Sequence, residues 1–146
     1  KRSGETLAYL AEVRARVAAL HQARQDRDFL AVVLAAKRIA NITKGVTVSP
    51  VDESALELDE ERTLYEATLV FETTLRDAMD RRDFGSGLAA VSRLSPSLEA
   101  FFQKVMVMDP DERKRANRLA LLAGLGQSIA KLADLSQLVV DKADYR

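Results

Sequence analysis

Residues Glu112 to Arg118 read ERKRANR, and five of these seven are charged. Guanidinium groups at this density suit two kinds of chemistry. They fork onto carboxylates or phosphates, and their planes stack on unpaired nucleobases. Asn117, set between Arg115 and Arg118, carries both a donor and an acceptor, as reading the edge of a base requires. A smaller set of the same kind, Lys37, Arg38 and Asn41, stands upstream. Lys37, Arg38, Asn41, Arg115, Asn117 and Arg118 are therefore the candidate RNA contacts. Solvated charge is the ordinary explanation of any one such cluster, so the elements that position these side chains have to decide between the readings.

Little else in the chain can carry a reaction. There is no Cys, which removes disulfides, thiolate nucleophiles and Cys-ligated zinc. His21 is the only histidine. With no second His or Cys to work with, it reads as a partly buried structural residue and not as a metal ligand or triad base. The carboxylates at 57–61 and 109–112 fall at helix starts, and read as solvated charges favoured by the helix dipole. Gly124-Leu125-Gly126 lacks phosphate-loop spacing and lies inside a helical pattern, where glycine marks close packing or a weak kink. Met106 and Met108, with Phe101 and Phe102, read as core. No catalytic residue and no metal site is expected.

The positioning elements are helices. Leu10, Val13, Val17 and Leu20 recur at helical spacing over residues 5–24, with Glu12 and Arg16 as an i,i+4 pair on the opposite side. Asp28 is the expected N-cap of a second helix to about Thr43, apolar on nearly every side and stopped by Gly45. Lys37, Arg38 and Asn41 fall near its C-terminal end. Residues 46–57, with Pro50, read as a loop. Asp59-Glu60-Glu61 opens a third helix to about Arg82, with Leu64, Phe71, Leu75 and Ala78 as its stripe. Asp83 caps a short fourth helix, Pro96 sits in the first turn of a fifth from Ser95 to about Val107, and Asp109-Pro110 begins the last, to about Val139. On that last helix Leu122, Leu125, Ile129 and Leu132 define the apolar side, and Arg115 and Arg118 fall on it. An Arg so placed must pair with a carboxylate of another helix or project past the core to a ligand, and both readings stay open. The run 104–108 is the only strand candidate. The expected fold is all-α, a helical bundle of about five to seven helices.

Bulk properties agree. The 146 residues fit one domain, and the aromatic content of 5% with no Trp points to a Leu, Val and Ala core. Lys plus Arg and Asp plus Glu are both 22, so a strongly basic, non-specific nucleic-acid binder is disfavoured, although a local basic face is not. No apolar run approaches the roughly 20 residues that span a bilayer, and the start KRSGETL lacks a signal-peptide core. The chain opens on Lys1, so it is expected to be a piece of a longer protein, a single domain over 1–146 with residues 1–4 foreign to it.

Beyond these readings, Phe101-Phe102-Gln103-Lys104-Val105-Met106-Val107-Met108, then Asp111 with Arg115, Asn117, Arg118 and Leu119, then Ala133-Asp134-Leu135-Ser136 with Leu138, follow one another in a specific order. Together with Lys37-Arg38-Ile39-Ala40-Asn41-Ile42 and the lead-in from Ser95, this resembles the C-terminal end of the β subunit of bacterial two-subunit glycyl-tRNA synthetases, over roughly residues 10 to 139. Gln103 stands where that family has an acidic residue, and Gly124 and Gly126 where longer side chains are usual. The resemblance implies a DALR-type anticodon-binding domain, with the six candidate residues contacting glycine tRNA. It implies further that the fragment itself is not catalytic and holds no cofactor. ATP and Mg would be used by the catalytic α subunit, the partners would be tRNA, the rest of the β subunit and that α subunit, and the location would be cytoplasmic. The alternative from a different class is a helical protein-contact domain without RNA affinity. If RNA is the ligand, the two candidate clusters should bound one concave or open surface.

Overall fold

A computed structural model describes residues 2–144, with side chains described for residue 4 and residues 6–132. Among the described residues six α-helices follow in order: α1 Arg2–Ala23, α2 Arg27–Ile42, α3 Asp59–Asp80, α4 Phe84–Ser92, α5 Ser95–Lys104 and α6 Glu112–Asp144, with a 3₁₀ turn at Glu53–Ala55. No strand occurs among the described residues, so the chain is all-α.

Local chemistry sets the boundaries. The α2 cap is Asp26, not Asp28: its carboxylate accepts from the Asp28 N–H at 2.9 Å, and its second oxygen takes the Ser92 hydroxyl at 2.9 Å, tying α2 to α4. Gly45, at φ +80°, takes the left-handed turn just beyond α2. At the end of α3, Arg82 adopts φ +56° while the Asp83 N–H reaches the Ala78 carbonyl at 2.8 Å. Asp83 then caps α4 through the Ser86 N–H at 3.1 Å.

The helix α5 stops at Lys104, short of the expected Val107. Val105 is extended, at φ −106° and ψ 125°, and the next residues alternate. Val105 and Val107 are buried, whereas Met106 and Met108 are 63% and 64% exposed. The expectation that both methionines lie in the core is corrected by this two-residue alternation, which turns every second side chain outward. Asp111 opens α6, accepting from the N–H groups of Arg113 at 2.9 Å and Lys114 at 3.1 Å.

The core runs through all six helices, with Val32, Ile39, Leu64, Leu98, Phe101, Leu122 and Leu125 shielded from solvent. α4, short and rich in small residues, packs against α1, α2, α3 and α6. α2 crosses α6 where Gly126 lies against Ile39, a Cβ at that glycine falling 3.0 Å from Ile39 Cγ2. Close packing therefore explains Gly126 but not Gly124, which faces open space. The expected Glu12–Arg16 pair forms at 2.6 Å. His21 is exposed, not partly buried, with its Nε2 3.2 Å from Gln25 Nε2.

Candidate functional site

The polar side chains from Arg113 to Arg118 are spent on intramolecular bonds. Arg118 is 3% exposed. Its Nη2 donates to Glu61 Oε1 at 2.9 Å, and its Nη1 donates to the Met106 carbonyl at 2.7 Å and Asp109 Oδ2 at 3.3 Å. Glu61 is 1% exposed, so it is not the solvated helix-start charge the sequence suggested. It occupies the third position of α3, where its carboxylate also accepts from the Leu58 N–H at 3.1 Å. The hydrogen bond to Glu61, ahead of the charge attraction, holds the Arg118 guanidinium above its usual range and keeps it charged despite burial. Met106 offers its carbonyl because the chain has left the helix and turned that group inward, where no helical partner exists.

Asn117 is equally committed. Its Oδ1 accepts from the Asp52 N–H at 2.7 Å, and its Nδ2 donates to the Asp52 carbonyl at 2.9 Å. This two-point clamp fixes the link between α2 and α3 onto α6. Arg113 reinforces it from outside, donating to Asp52 Oδ2 at 2.9 Å and Ser54 Oγ at 2.8 Å. Lys114 pairs with Glu57, and Arg115 Nη1 donates to the Asp109 carbonyl at 3.0 Å. The Ser54 hydroxyl and Arg113 together hold the Asp52 carboxyl below its usual range, and Glu57 holds the Lys114 ammonium above its own. Asn117 and Arg118 thereby act as buried interior braces, with the Arg118 Nε alone among their side-chain nitrogens lacking a hydrogen-bond partner. Arg115 remains half-buried at the edge of this brace.

The α2 set has the opposite character. Lys37, Arg38 and Asn41 are all exposed, and none of the three side chains forms a hydrogen bond or ion pair with a described residue. Arg38 lies over the Phe102 ring of α5, guanidinium carbon to centroid 4.2 Å. Phe102 meets Phe101 edge-on, at 5.5 Å and 84°. The two candidate clusters differ in exposure. The side chains of Asn117 and Arg118 point into the brace, and only the α2 trio and Arg115 retain exposure. Phe102, assigned to the core from the sequence, packs partly buried against that core and also lies beneath Arg38. The segment Ala133-Asp134-Leu135-Ser136 with Leu138 lies outside the described side chains.

Among the described residues no group of three or more His, Cys, Asp or Glu side chains is placed to hold a metal ion, and no described helix is long and apolar enough to cross a membrane.

The DALR anticodon binding domain profile matches residues 32–138. The chain is 38% identical over 129 residues to the glycine--tRNA ligase beta subunit of Geobacter sp. (strain M21), covering 88% of this chain and 19% of that protein. Against the glycine--tRNA ligase beta subunit of Ralstonia nicotianae the identity is 39% over 140 residues, covering 94% and 19%. Against that of Thermodesulfovibrio yellowstonii it is 32% over 127 residues, covering 87% and 19%. The chain thus spans about a fifth of the length of these curated relatives, 19% in each case.

Proposed function

This chain belongs to the DALR anticodon binding domain family, and from that premise we propose that it holds the anticodon end of a glycine tRNA for a glycine–tRNA ligase. The observation that carries the reading is the family match itself. It runs from α2 into α6 and so encloses the exposed trio Lys37, Arg38 and Asn41. Anticodon bases are unpaired, and can be splayed onto planar cations and bonded at their edges. The trio supplies a point charge for phosphate, a planar guanidinium, and an amide with donor and acceptor. The brace at Asn117 ties the link between α2 and α3 to α6, the helix against which α2 packs. Arg115 completes the candidate set at the edge of the brace.

In this reading the domain binds and does not catalyse. Activation of glycine with ATP and Mg, and transfer to the tRNA, belong to a separate catalytic α subunit, and the rest of the β subunit is the domain's other partner. Neutral net charge is compatible with the role, because most backbone contacts with a tRNA fall to the remainder of such a subunit. The place of action is the cytoplasm, where tRNA is charged.

The test is Lys37→Ala with Asn41→Ala in the full β subunit, reconstituted with its α subunit. Losing such contacts costs on the order of 1–3 kcal/mol, roughly tenfold to a hundredfold in kcat/KM for tRNA. Glycine-dependent ATP–pyrophosphate exchange, which needs no tRNA, separates a binding defect from a damaged catalytic subunit. Unchanged charging by a folded variant would remove the trio from the interface.

A further inference from the structure

We propose that Arg38 and Phe102 form a two-layer platform on which one unpaired nucleobase stacks, making the order base, guanidinium, phenyl ring. The proposal rests on the anticodon-holding reading and adds to it a stacking site and a residue, Phe102. Three observations converge. First, the Arg38 guanidinium carbon stands 4.2 Å from the Phe102 ring centroid, well inside the range of about 6 Å for attraction between a cation and an aromatic face. Second, the ring beneath it is anchored. Phe102 sits edge-to-face on Phe101, which is 0% exposed in the core. Third, the Arg38 side chain is exposed and has no hydrogen bond or ion pair with any described residue, so its outer face and its guanidinium N–H groups are open.

Most surface arginines sample many rotamers or answer a nearby carboxylate. This one is held by the ring alone, so much of the entropy lost on stacking a base is already spent. A guanidinium is weakly hydrated and planar, and a base can cover it while its edge N–H groups still reach a phosphate. Asn41 is one helical turn further along α2, with Cβ atoms about 5–6 Å apart at this spacing, within reach of the edge of a base lying on Arg38. Lys37 precedes Arg38 and offers a second charge to the same backbone. The chemistry selects a single-stranded nucleobase over a duplex, whose bases present no free face.

The experiment uses the full β subunit, reconstituted with its α subunit, and a glycine tRNA carrying a fluorescent aminopurine at each anticodon-loop position in turn. Stacking on the platform quenches one position on binding. Arg38→Lys keeps the charge and loses the plane, and Phe102→Leu keeps apolar bulk and loses the ring. Each should abolish the quench and weaken binding roughly tenfold to a hundredfold. Melting curves check that both variants fold; Arg38 is exposed, so its variant remains informative should Phe102→Leu fail. Saturable binding by the unsubstituted β subunit with the quench kept in Arg38→Lys would overturn the platform and leave the anticodon-holding reading standing, the arginine then merely shielding Phe102. No change at any anticodon-loop position on saturable binding of the tRNA by the unsubstituted β subunit would overturn both.

Discussion

Arg118→Met is the most informative single change to the brace. It removes the Nη2 bond to Glu61 at 2.9 Å and the Nη1 bonds to the Met106 carbonyl and Asp109. Glu61, 1% exposed, is left with only the Leu58 N–H. Removing one partner of a buried pair costs about 3–5 kcal/mol, because the other charge stays desolvated and unpaired. Against a typical total of about 5–15 kcal/mol this is a large share. At roughly 3–4 °C per kcal/mol for a chain of this size, the melting temperature should fall by about 10–15 °C. Adding Glu61→Gln should restore part of the loss, since the stranded charge is gone. Arg118→Lys, which keeps charge without the fork, should fall in between, about 1–3 kcal/mol. Thermal melts followed by circular dichroism measure all four proteins. A melting temperature for Arg118→Met within about 3 °C of the parent would refute the brace. Unchanged stability of Arg118→Lys together with weakened RNA binding would return Arg118 to the interface.

Other outcomes follow from the same geometry. Asn117→Ala should cost about 1–3 kcal/mol and speed amide exchange at Asp52, whose N–H loses its acceptor. Gly126→Ala should destabilise by about 1–3 kcal/mol because its Cβ meets Ile39 at 3.0 Å, whereas Gly124→Ala, facing open space, should stabilise by about 0.5–1 kcal/mol; urea denaturation of the pair reads the opposite signs. The Asp83 carboxyl, through the Ser86 hydroxyl, and the Asp111 carboxyl, through the Lys114 N–H, are held below the ordinary value of 3.8. A depressed carboxyl stabilises the fold fully above the unfolded value, and that contribution is lost as pH falls through the folded value. Asp83→Asn and Asp111→Asn should therefore flatten the loss of stability below about pH 4 in acid titrations followed by circular dichroism.

Helical periodicity carries far in this sequence, because a stripe such as Leu64, Phe71, Leu75 and Ala78 has one structural solution. Boundaries shift where a nearer cap competes, as Asp26 does with Asp28. The run 104–108 shows the two-residue alternation of a strand candidate, but that period alone does not say which side faces the core, and it is the valines that do. The brace was half legible. Arg118 fell on the apolar side of its helix, and Glu61 keeps the register of Leu64, Thr68, Phe71 and Leu75, all buried. That register was the available signal that Glu61 points inward. Pattern alone does not pair two residues 57 apart. The Arg38–Phe102 stack joins α2 to α5 and left no mark in either helix's own period.

The central claim is that this region holds the anticodon end of a glycine tRNA. Its most direct test is a hydroxyl-radical footprint of glycine tRNA on the parent β subunit, with and without the region corresponding to this chain. The account predicts protection of the anticodon loop in the intact subunit and loss of that protection alone in the shortened one, with contacts elsewhere on the tRNA retained. Anticodon-loop protection that survives removal of the region would contradict it.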